Sequence, residues 1–145
     1  MRTRPIESTP EDQRKKYEAH KAANEAVKQL RSCKQYFTAF VIAFAVLEDR
    51  VRALDYVARE RGKVPQPTDV RRLRDWKQIV KRLYLAELLN HELRDDLLGL
   101  ADIRNKVVHS AIYNLDAVAD KHVTRVIVAQ RTVAKLVTNV VKGRQ

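Results

Sequence analysis

The sequence predicts an all-α protein, an antiparallel bundle of four to five helices. Apolar residues recur at spacings of three and four along most of the chain, which is the period of an amphipathic helix. Only 3 glycines and 4 prolines occur among 145 residues, too few for the many turns of a β sandwich or barrel. The length is that of one domain, and a hydrophobic share of 45% is enough for a core. We therefore expect a single helical domain over residues 9–145, preceded by a flexible tail over residues 1–8.

The first two helices are predicted from signals at their ends. Thr9 can cap a helix, Pro10 suits the first helical position, and the two acidic residues that follow complement the positive end of the helix. This helix should run to about Leu30. A second helix, the most apolar of the chain, is expected over about 34–61. Ser32 either separates the two helices or lies within one continuous helix.

Three further helices are expected after Gly62, which suits a C-terminal cap, and a stiff loop over Val64-Pro65-Gln66-Pro67. The periodicity predicts them over about 69–84, 91–110 and 116–142. The expected caps at their starts are Thr68 or Asp69, Asn90, and Asn114 or Asp116. The last segment is rich in valine and isoleucine, but more than twenty residues without a turn signal are too many for one strand.

The charge of the chain indicates a polyanionic partner. Lys and Arg number 29 against 18 Asp and Glu, which gives a net charge of +11 and an isoelectric point near 10.0. A basic surface of this size attracts nucleic acid, acidic membrane or an acidic protein. The excess is concentrated in the helix predicted over 69–84 and in the N-terminal helix. The residues that we expect to hold RNA phosphates are Arg71, Arg72, Arg74, Lys77 and Lys81.

Several classes of protein and of site are disfavoured by the sequence. Cys33 is the only cysteine, so neither an intramolecular disulfide nor a Cys-x-x-Cys zinc site can form. The N-terminus lacks the apolar run of a signal peptide, and the longest uncharged stretch, 35–47, is too short to cross a bilayer. A Gly-rich phosphate loop and a His-Glu-x-x-His motif are both absent. We expect a cytoplasmic protein with no membrane partner, no metal and no cofactor.

One short segment carries a specific functional signal. It reads Ile103-Arg104-Asn105-Lys106-Val107-Val108-His109-Ser110 and follows a Leu-rich helix. The pattern Arg-Asn-x-x-x-His, set in an apolar frame, resembles the signature of the HEPN superfamily of small all-α domains. The order of features over about 44–120 is also similar, with an apolar helix, a Gly-x-x-x-Pro loop, a basic helix, a Leu-rich helix, the motif and a long last helix. Residues 1–43 resemble the family only in being helical.

The resemblance implies a metal-independent ribonuclease. Many members of the superfamily are ribonucleases or toxins of prokaryotic defence and toxin–antitoxin systems, among them the HepT toxins, which pair with a nucleotidyltransferase antitoxin. A HepT toxin has Tyr two residues after the motif His, whereas this chain has Ala111 there and Tyr113 beyond it. Functions that depend on that tyrosine, including its modification by the antitoxin, are therefore not carried over to this chain.

The spacing of the motif residues on a helix bears on how a site could form. Asn105 and His109 are at positions i and i+4 and share one face, which Tyr113 joins if the helix continues. Arg104 lies about 140° from His109, at roughly 100° per residue. One helix therefore does not present Arg104 and His109 side by side, and the resemblance implies a homodimer with two motifs facing across a two-fold axis.

The residue types suit RNA cleavage by the 2′-hydroxyl group. His109 can take or give a proton near neutral pH. Arg104 supplies a permanent forked cation for the phosphate, and Asn105 can orient His109 or a phosphate oxygen. The expected catalytic residues are Arg104, Asn105, His109 and Tyr113. Two alternatives stay open: a non-catalytic HEPN-like module that binds RNA or a partner protein, and a basic helical adaptor for an acidic protein in which the motif is accidental.

Overall fold

The computed structural model describes residues 9–110 and 118–143. In these residues the chain forms six helices, and the predicted all-α helical bundle is confirmed. They are α1 (Pro10–Ser32), α2 (Tyr36–Glu60), α3 (Val70–Arg74), α4 (Trp76–Leu85), α5 (His91–Ser110) and α6 (Asp120–Val141). None of these described helices has the length and apolar character needed to span a membrane. The tail predicted over residues 1–8 and the site residue Tyr113 lie outside the described residues.

Three helix starts follow the predicted caps, at Thr9, Asp69 and Asn90, whereas α6 begins at Asp120 after Ala119, and the caps expected for it, Asn114 or Asp116, lie outside the described residues. The Thr9 hydroxyl accepts a hydrogen bond from the Asp12 N–H at 3.1 Å, and the Asp12 carboxylate accepts one from the Thr9 N–H at 3.2 Å. This reciprocal pair is a capping box, which satisfies two backbone donors that α1 would leave unpaired. Asn90 caps α5 by a single hydrogen bond, since its Oδ1 accepts from the Leu93 N–H at 2.8 Å.

Four helix ends turn through a left-handed residue, and two of these are not glycine. Gly62 and Gly143 have φ of 69° and 68°, as expected of C-terminal caps. Lys34 ends α1 with φ 60°, and Glu87 ends α4 with φ 62°. The break at Lys34 separates α1 from α2, so Ser32 lies in the last turn of α1 rather than inside one long helix.

The helix predicted over 69–84 is two helices, because Asp75 interrupts it. The backbone of Asp75 is extended, with φ −69° and ψ 124°, and its side chain accepts a hydrogen bond from the Gln78 N–H at 3.1 Å. An aspartate side chain competes in this way with the helical backbone and favours a cap over a helix interior. α3 and α4 therefore differ in direction, and the basic residues of this region do not lie on one helix face.

The core is built around α2, which contacts α1, α4, α5 and α6. Its fully buried side chains include Phe40, Phe44, Leu47 and Leu54. The start of α6 lies beside the end of α1, where Arg31 donates to the Asp120 carboxylate at 2.7 and 3.1 Å. One buried polar side chain crosses the core: Gln130 of α6 donates to the carbonyl of Ala43 at 2.7 Å.

A buried carboxylate fixes α4 and α3 against α2. Asp55 is 2% exposed and accepts hydrogen bonds from Arg59 at 3.1 Å and from Arg82 at 2.9 Å. Arg82 also donates to the backbone carbonyls of Arg72 and Leu73 in α3. Arg82 therefore stabilises the packing of α3 and α4 on α2, although it lies in the basic helix predicted over 69–84.

Candidate functional site

The motif residues lie in the last two turns of α5, and the helix is continuous through them. Val107 is buried in the core, while Val108 is 52% exposed. Asn105 and His109 are exposed on the same face, as their spacing predicts. The packing of Val107 therefore fixes the rotation of the helix and turns three other motif positions, 105, 108 and 109, towards solvent.

Arg104 faces α2 rather than His109. Its Nη1 donates to Glu48 Oε2 at 3.2 Å, and its guanidinium carbon lies 4.9 Å from the centre of the Phe44 ring. Its Nη2 lies 3.4 Å from the side-chain oxygen of Asn105. The guanidinium is thus held by an ion pair, an aromatic face and a neighbouring amide, which is a well-defined position for a cation.

Within the described part of one chain, no hydrogen bond or ion pair joins Arg104 to His109. This arrangement agrees with the angular separation that helical geometry gives the two residues. A site that uses both needs a second copy of the motif or a substrate long enough to contact both. Tyr113, the fourth expected catalytic residue, falls outside the described residues.

A groove of about 980 Å³ runs between α4 and α5 beside Arg104. Four of the residues predicted to act in catalysis or RNA binding meet in its lining, namely Lys77, Lys81, Arg104 and Asn105. His109 does not line it. Tyr84 contributes an aromatic wall, and the Arg94 guanidinium carbon lies 4.2 Å from the centre of that ring. The groove combines cations with an aromatic surface, which is the combination that single-stranded nucleic acid favours.

The charge of this groove is mixed. Its cations are Lys77, Lys81, Arg94 and Arg104, and its carboxylates are Asp75, Asp95 and Asp102. Arg94 donates to Asp95 at 3.0 Å, so part of the positive charge is neutralised within the protein. Lys77 and Lys81 form no ion pair within 4.0 Å in the described part of the chain, so they are the groove cations most available to a phosphate.

The other predicted RNA-binding residues lie outside this groove. Arg71, Arg72 and Arg74 are exposed on α3, beyond the break at Asp75. Arg72 lines a separate hollow together with residues of the loop that precedes α3. The five residues expected to form one basic face therefore form two groups, a lysine pair inside the groove and an arginine group outside it.

Sequence reasoning missed the partner of Arg104. Glu48 lies in the apolar helix α2, four residues after Phe44, and both contact the guanidinium. One signal could have indicated it: residues 26–47 contain no acidic side chain, so Glu48 is the first carboxylate after a long apolar stretch. A carboxylate at the end of the buried face of a helix needs a partner that donates hydrogen bonds to it. Here that partner comes from another helix, α5.

The remaining histidines have local structural contacts or mark a helix start. His20 Nε2 lies 2.7 Å from Asp49 Oδ2 and joins α1 to α2. The Nδ1 of His122 accepts a hydrogen bond from the Ala119 N–H at 3.3 Å, and burial together with Lys121 and Arg125 lowers the pKa of His122. His91 is the exposed first residue of α5. Across residues 9–110 and 118–143, no group of three or more His, Cys, Asp or Glu side chains is placed to hold a metal ion.

Comparison of this chain with protein-family models, with curated proteins and with solved structures finds no match. The features of this chain that indicate a function are therefore the motif and the groove beside it.

Proposed function

We propose that this protein is a metal-independent endoribonuclease of HEPN type, acting as a homodimer in a toxin or defence role. The observation that carries the proposal is the groove in which Arg104 and Asn105 meet Lys77 and Lys81. The sequence predicts that Arg104 and Asn105 act in catalysis and that Lys77 and Lys81 bind RNA. All four residues line this one groove. A nucleotidyltransferase antitoxin is the partner that the resemblance implies.

The proposed reaction needs no group beyond RNA and the motif side chains. The substrate 2′-oxygen attacks the adjacent phosphorus while His109 takes the 2′-hydroxyl proton, and the bond from phosphorus to the 5′-oxygen breaks. The leaving 5′-oxygen takes a proton from His109 of the second copy. Arg104 stabilises the charge that grows on the phosphate oxygens. The products are a 2′,3′-cyclic phosphate end and a 5′-hydroxyl end.

The exposed face of α5 supports the dimer. Asn105, Val108 and His109 are all exposed on one side of α5, where Val108 lies beside Asn105, about 60° away by helical geometry. A second copy of α5 packed on this side would bury Val108 together with the polar motif residues. A dimer formed there would bring two copies of His109 close to the symmetry axis.

The test is cleavage of total RNA by the purified protein, with and without EDTA, followed by analysis of the ends of the fragments. We expect cleavage in EDTA, 2′,3′-cyclic phosphate ends, and resistance of a substrate with 2′-deoxyribose at the scissile position. His109→Ala should reduce the rate by about 10²–10⁴-fold. Arg104→Ala should reduce it comparably, and Arg104→Lys should not restore it, because a point charge lacks the fork.

The matched control is His91→Ala, which removes an exposed histidine from the other end of the same helix. This variant should cleave as the unmodified protein does. Cleavage that survives His109→Ala, or that requires Mg²⁺, would refute the ribonuclease proposal. A strictly monomeric protein at micromolar concentration by light scattering would refute the composite site.

A second candidate function is a non-catalytic HEPN-like module that binds RNA. The ion pair between Arg104 and Glu48 favours it, because the arginine charge is partly neutralised in the free protein. RNA binding without cleavage, with an affinity that depends on Lys77 and Lys81 but not on His109, would support this function instead.

A further inference from the structure

A second hollow, of about 620 Å³, lies between α1, α2 and α6 and shares no lining residue with the groove at Arg104. Its lining includes four cations, Lys28, Arg31, Arg50 and Arg131. Among its described lining residues there is no carboxylate, whereas the groove at Arg104 has three. Cations gathered without acids around a concave surface produce a focused positive potential.

Three of these four cations lack a carboxylate partner. In the described part of the chain, Lys28, Arg50 and Arg131 form no ion pair within 4.0 Å, while Arg31 is paired with Asp120. Asp49 precedes Arg50 in sequence and raises the pKa of its guanidinium by charge attraction, though by less than burial lowers it, while the Asp49 carboxylate makes its contacts with His20 and Lys16. The positive charge of the hollow is therefore largely available to a ligand.

Arg50 is the cation whose position is hardest to explain by folding alone. It is half-buried on α2, and burial lowers the pKa of its guanidinium because desolvation disfavours the charged form. Side chains of this kind are usually paired when they are withdrawn from water. A partly desolvated arginine at the wall of a hollow therefore contributes more free energy to the binding of an anion than a fully exposed arginine does.

A polar atom in the same hollow also lacks a partner. Asn24 Oδ1 is buried and makes no hydrogen bond, although Asn24 lines the hollow beside the cations. Buried acceptors are nearly always satisfied, so each exception in a structure requires an explanation. Because Oδ1 has no accessible surface, the hydroxyl group of a ligand seated among the cations would donate to it once the Asn24 side chain turns towards the hollow.

We propose that this hollow binds a small molecule that carries a phosphate monoester or diphosphate group together with a hydroxyl group. The phosphate oxygens accept from Arg50, Arg131 and Lys28, since guanidinium groups bind phosphate through paired hydrogen bonds. The hydroxyl donates to Asn24 Oδ1. A volume of about 620 Å³ lies in the range of small-molecule sites. This site does not depend on the ribonuclease proposal.

The experiment is calorimetric titration of the full chain with inorganic pyrophosphate, inorganic phosphate and ribose 5-phosphate, at constant ionic strength set with sodium chloride. Binding of at least one of these probes is expected. Arg50→Gln should weaken it about tenfold or more, the usual cost of losing a charged hydrogen bond. Arg131→Gln, an exposed substitution on α6, should weaken it as well and serves as the second variant if Arg50→Gln does not fold. Arg61→Gln, at the exposed end of α2, is the matched control and should bind normally.

Two further measurements separate a built site from general attraction to a basic protein. Asn24→Leu should weaken ribose 5-phosphate but not pyrophosphate, because only the sugar phosphate carries the hydroxyl. Pyrophosphate should raise the melting temperature of the unmodified protein but not that of Arg50→Gln, because a ligand stabilises only the folded protein that binds it. Equal binding by the Arg50, Arg131 and Arg61 variants, or no binding of any of the three probes, would overturn the proposal. Binding that RNA displaces only when Lys77 and Lys81 are intact would assign the effect to the other groove and would also overturn it.

Discussion

Arg104 and Glu48 form an ion pair between α5 and α2, with Nη1 and Oε2 3.2 Å apart. Their side chains are 37% and 29% exposed, so the pair is only partly screened by solvent. The pair holds the motif arginine against the Phe44 ring and offsets part of its charge before any RNA arrives. In the proposed function, a phosphate of bound RNA would compete with Glu48 for the same guanidinium.

The first prediction concerns Glu48→Gln. Removing the carboxylate frees the charge of Arg104 for phosphate, so RNA should bind more tightly. The dependence of the logarithm of affinity on the logarithm of salt concentration should steepen by about 0.7, the value for one added phosphate contact on a single strand. Fluorescence anisotropy with a labelled single-stranded RNA at several salt concentrations measures this slope.

The control for this prediction is the same substitution in an Arg104→Gln background. If Glu48 acts through Arg104, the gain in affinity disappears there, because the two effects are coupled rather than additive. An equal gain in both backgrounds would show that Glu48 repels RNA directly and does not restrain Arg104.

The second prediction compares the two basic groups that Asp75 separates. Lys77 and Lys81 line the groove with Arg104, so the double reversal Lys77→Glu and Lys81→Glu should lower the salt slope by about 1.4, or about 0.7 for each lost contact. The triple reversal of Arg71, Arg72 and Arg74 on α3 should weaken binding to all RNA sequences alike, with a smaller effect per residue. The same anisotropy assay measures both variants. A larger effect per residue from the arginine group would move the RNA path onto α3.

The sequence was most informative where the determinants are local. The period of the apolar residues and the caps at Thr9 and Asn90 predict helices α1 and α5 closely, because both depend on residues within a few positions. The break at Asp75 was within reach of the same reasoning, since aspartate in a helix interior is a strong signal for a cap. The left-handed residues Lys34 and Glu87 were not, because lysine and glutamate normally favour helix interiors.

Contacts between distant parts of the chain could not be predicted from the sequence. Arg104 and Glu48 are 56 residues apart, and Arg82 and Asp55 are 27 apart. Pairing at such distances depends on how helices pack, which periodicity does not specify. For the same reason, the sequence shows Arg82 only as one more basic residue of the predicted helix 69–84, whereas the structure pairs it with the buried Asp55.

The third prediction is that two glycine substitutions stabilise the protein. Lys34 and Glu87 occupy left-handed backbone at the ends of α1 and α4, where a residue with a Cβ is strained. Lys34→Gly and Glu87→Gly should each raise the free energy of unfolding by about 0.5–1 kcal/mol, the relief of strain less the added entropy of glycine. Urea unfolding followed by circular dichroism measures the change. Gly62→Ala is the reverse control: it introduces the same strain, with no atom within 4 Å of the new Cβ, and should destabilise.

The fourth prediction concerns the buried carboxylate of Asp55. Asp55→Ala leaves Arg59 and Arg82 without their common partner inside the protein. Breaking a buried ion pair from one side should cost about 3–5 kcal/mol of unfolding free energy. Asp96→Ala removes an exposed ion pair with Arg125 and should cost at most about 1 kcal/mol. Similar losses in the two variants would mean that the Asp55 cluster does not fix α3 and α4 to α2.

The fifth prediction is a loss of stability in acid that originates at the start of α6. His122 caps this helix through Nδ1, which accepts from the Ala119 N–H and can do so only while that nitrogen carries no proton. Burial, with Lys121 and Arg125 nearby, lowers the pKa of His122 in the folded protein below its ordinary value of about 6.5. Between the folded and the ordinary pKa, the unfolded chain binds more protons, so stability rises with pH in that window. The contribution of His122 is therefore complete above the ordinary pKa and is lost as pH falls through the folded pKa.

His122→Gln isolates this effect, because glutamine at the same position keeps a side-chain acceptor for the cap and does not titrate. The difference in unfolding free energy between the unmodified protein and the variant should be constant above about pH 7.5, one unit above the ordinary pKa. As pH falls below about 6.5, the unfolding free energy of the variant should rise relative to that of the unmodified protein, because only the unmodified protein then loses its cap. Other titrating groups, including the pair of His20 and Asp49, cancel in the difference, since both proteins contain them. A difference that stays constant to pH 5, or that favours the unmodified protein in acid, would show that folding does not lower the pKa of His122 and that its Nδ1 does not cap α6.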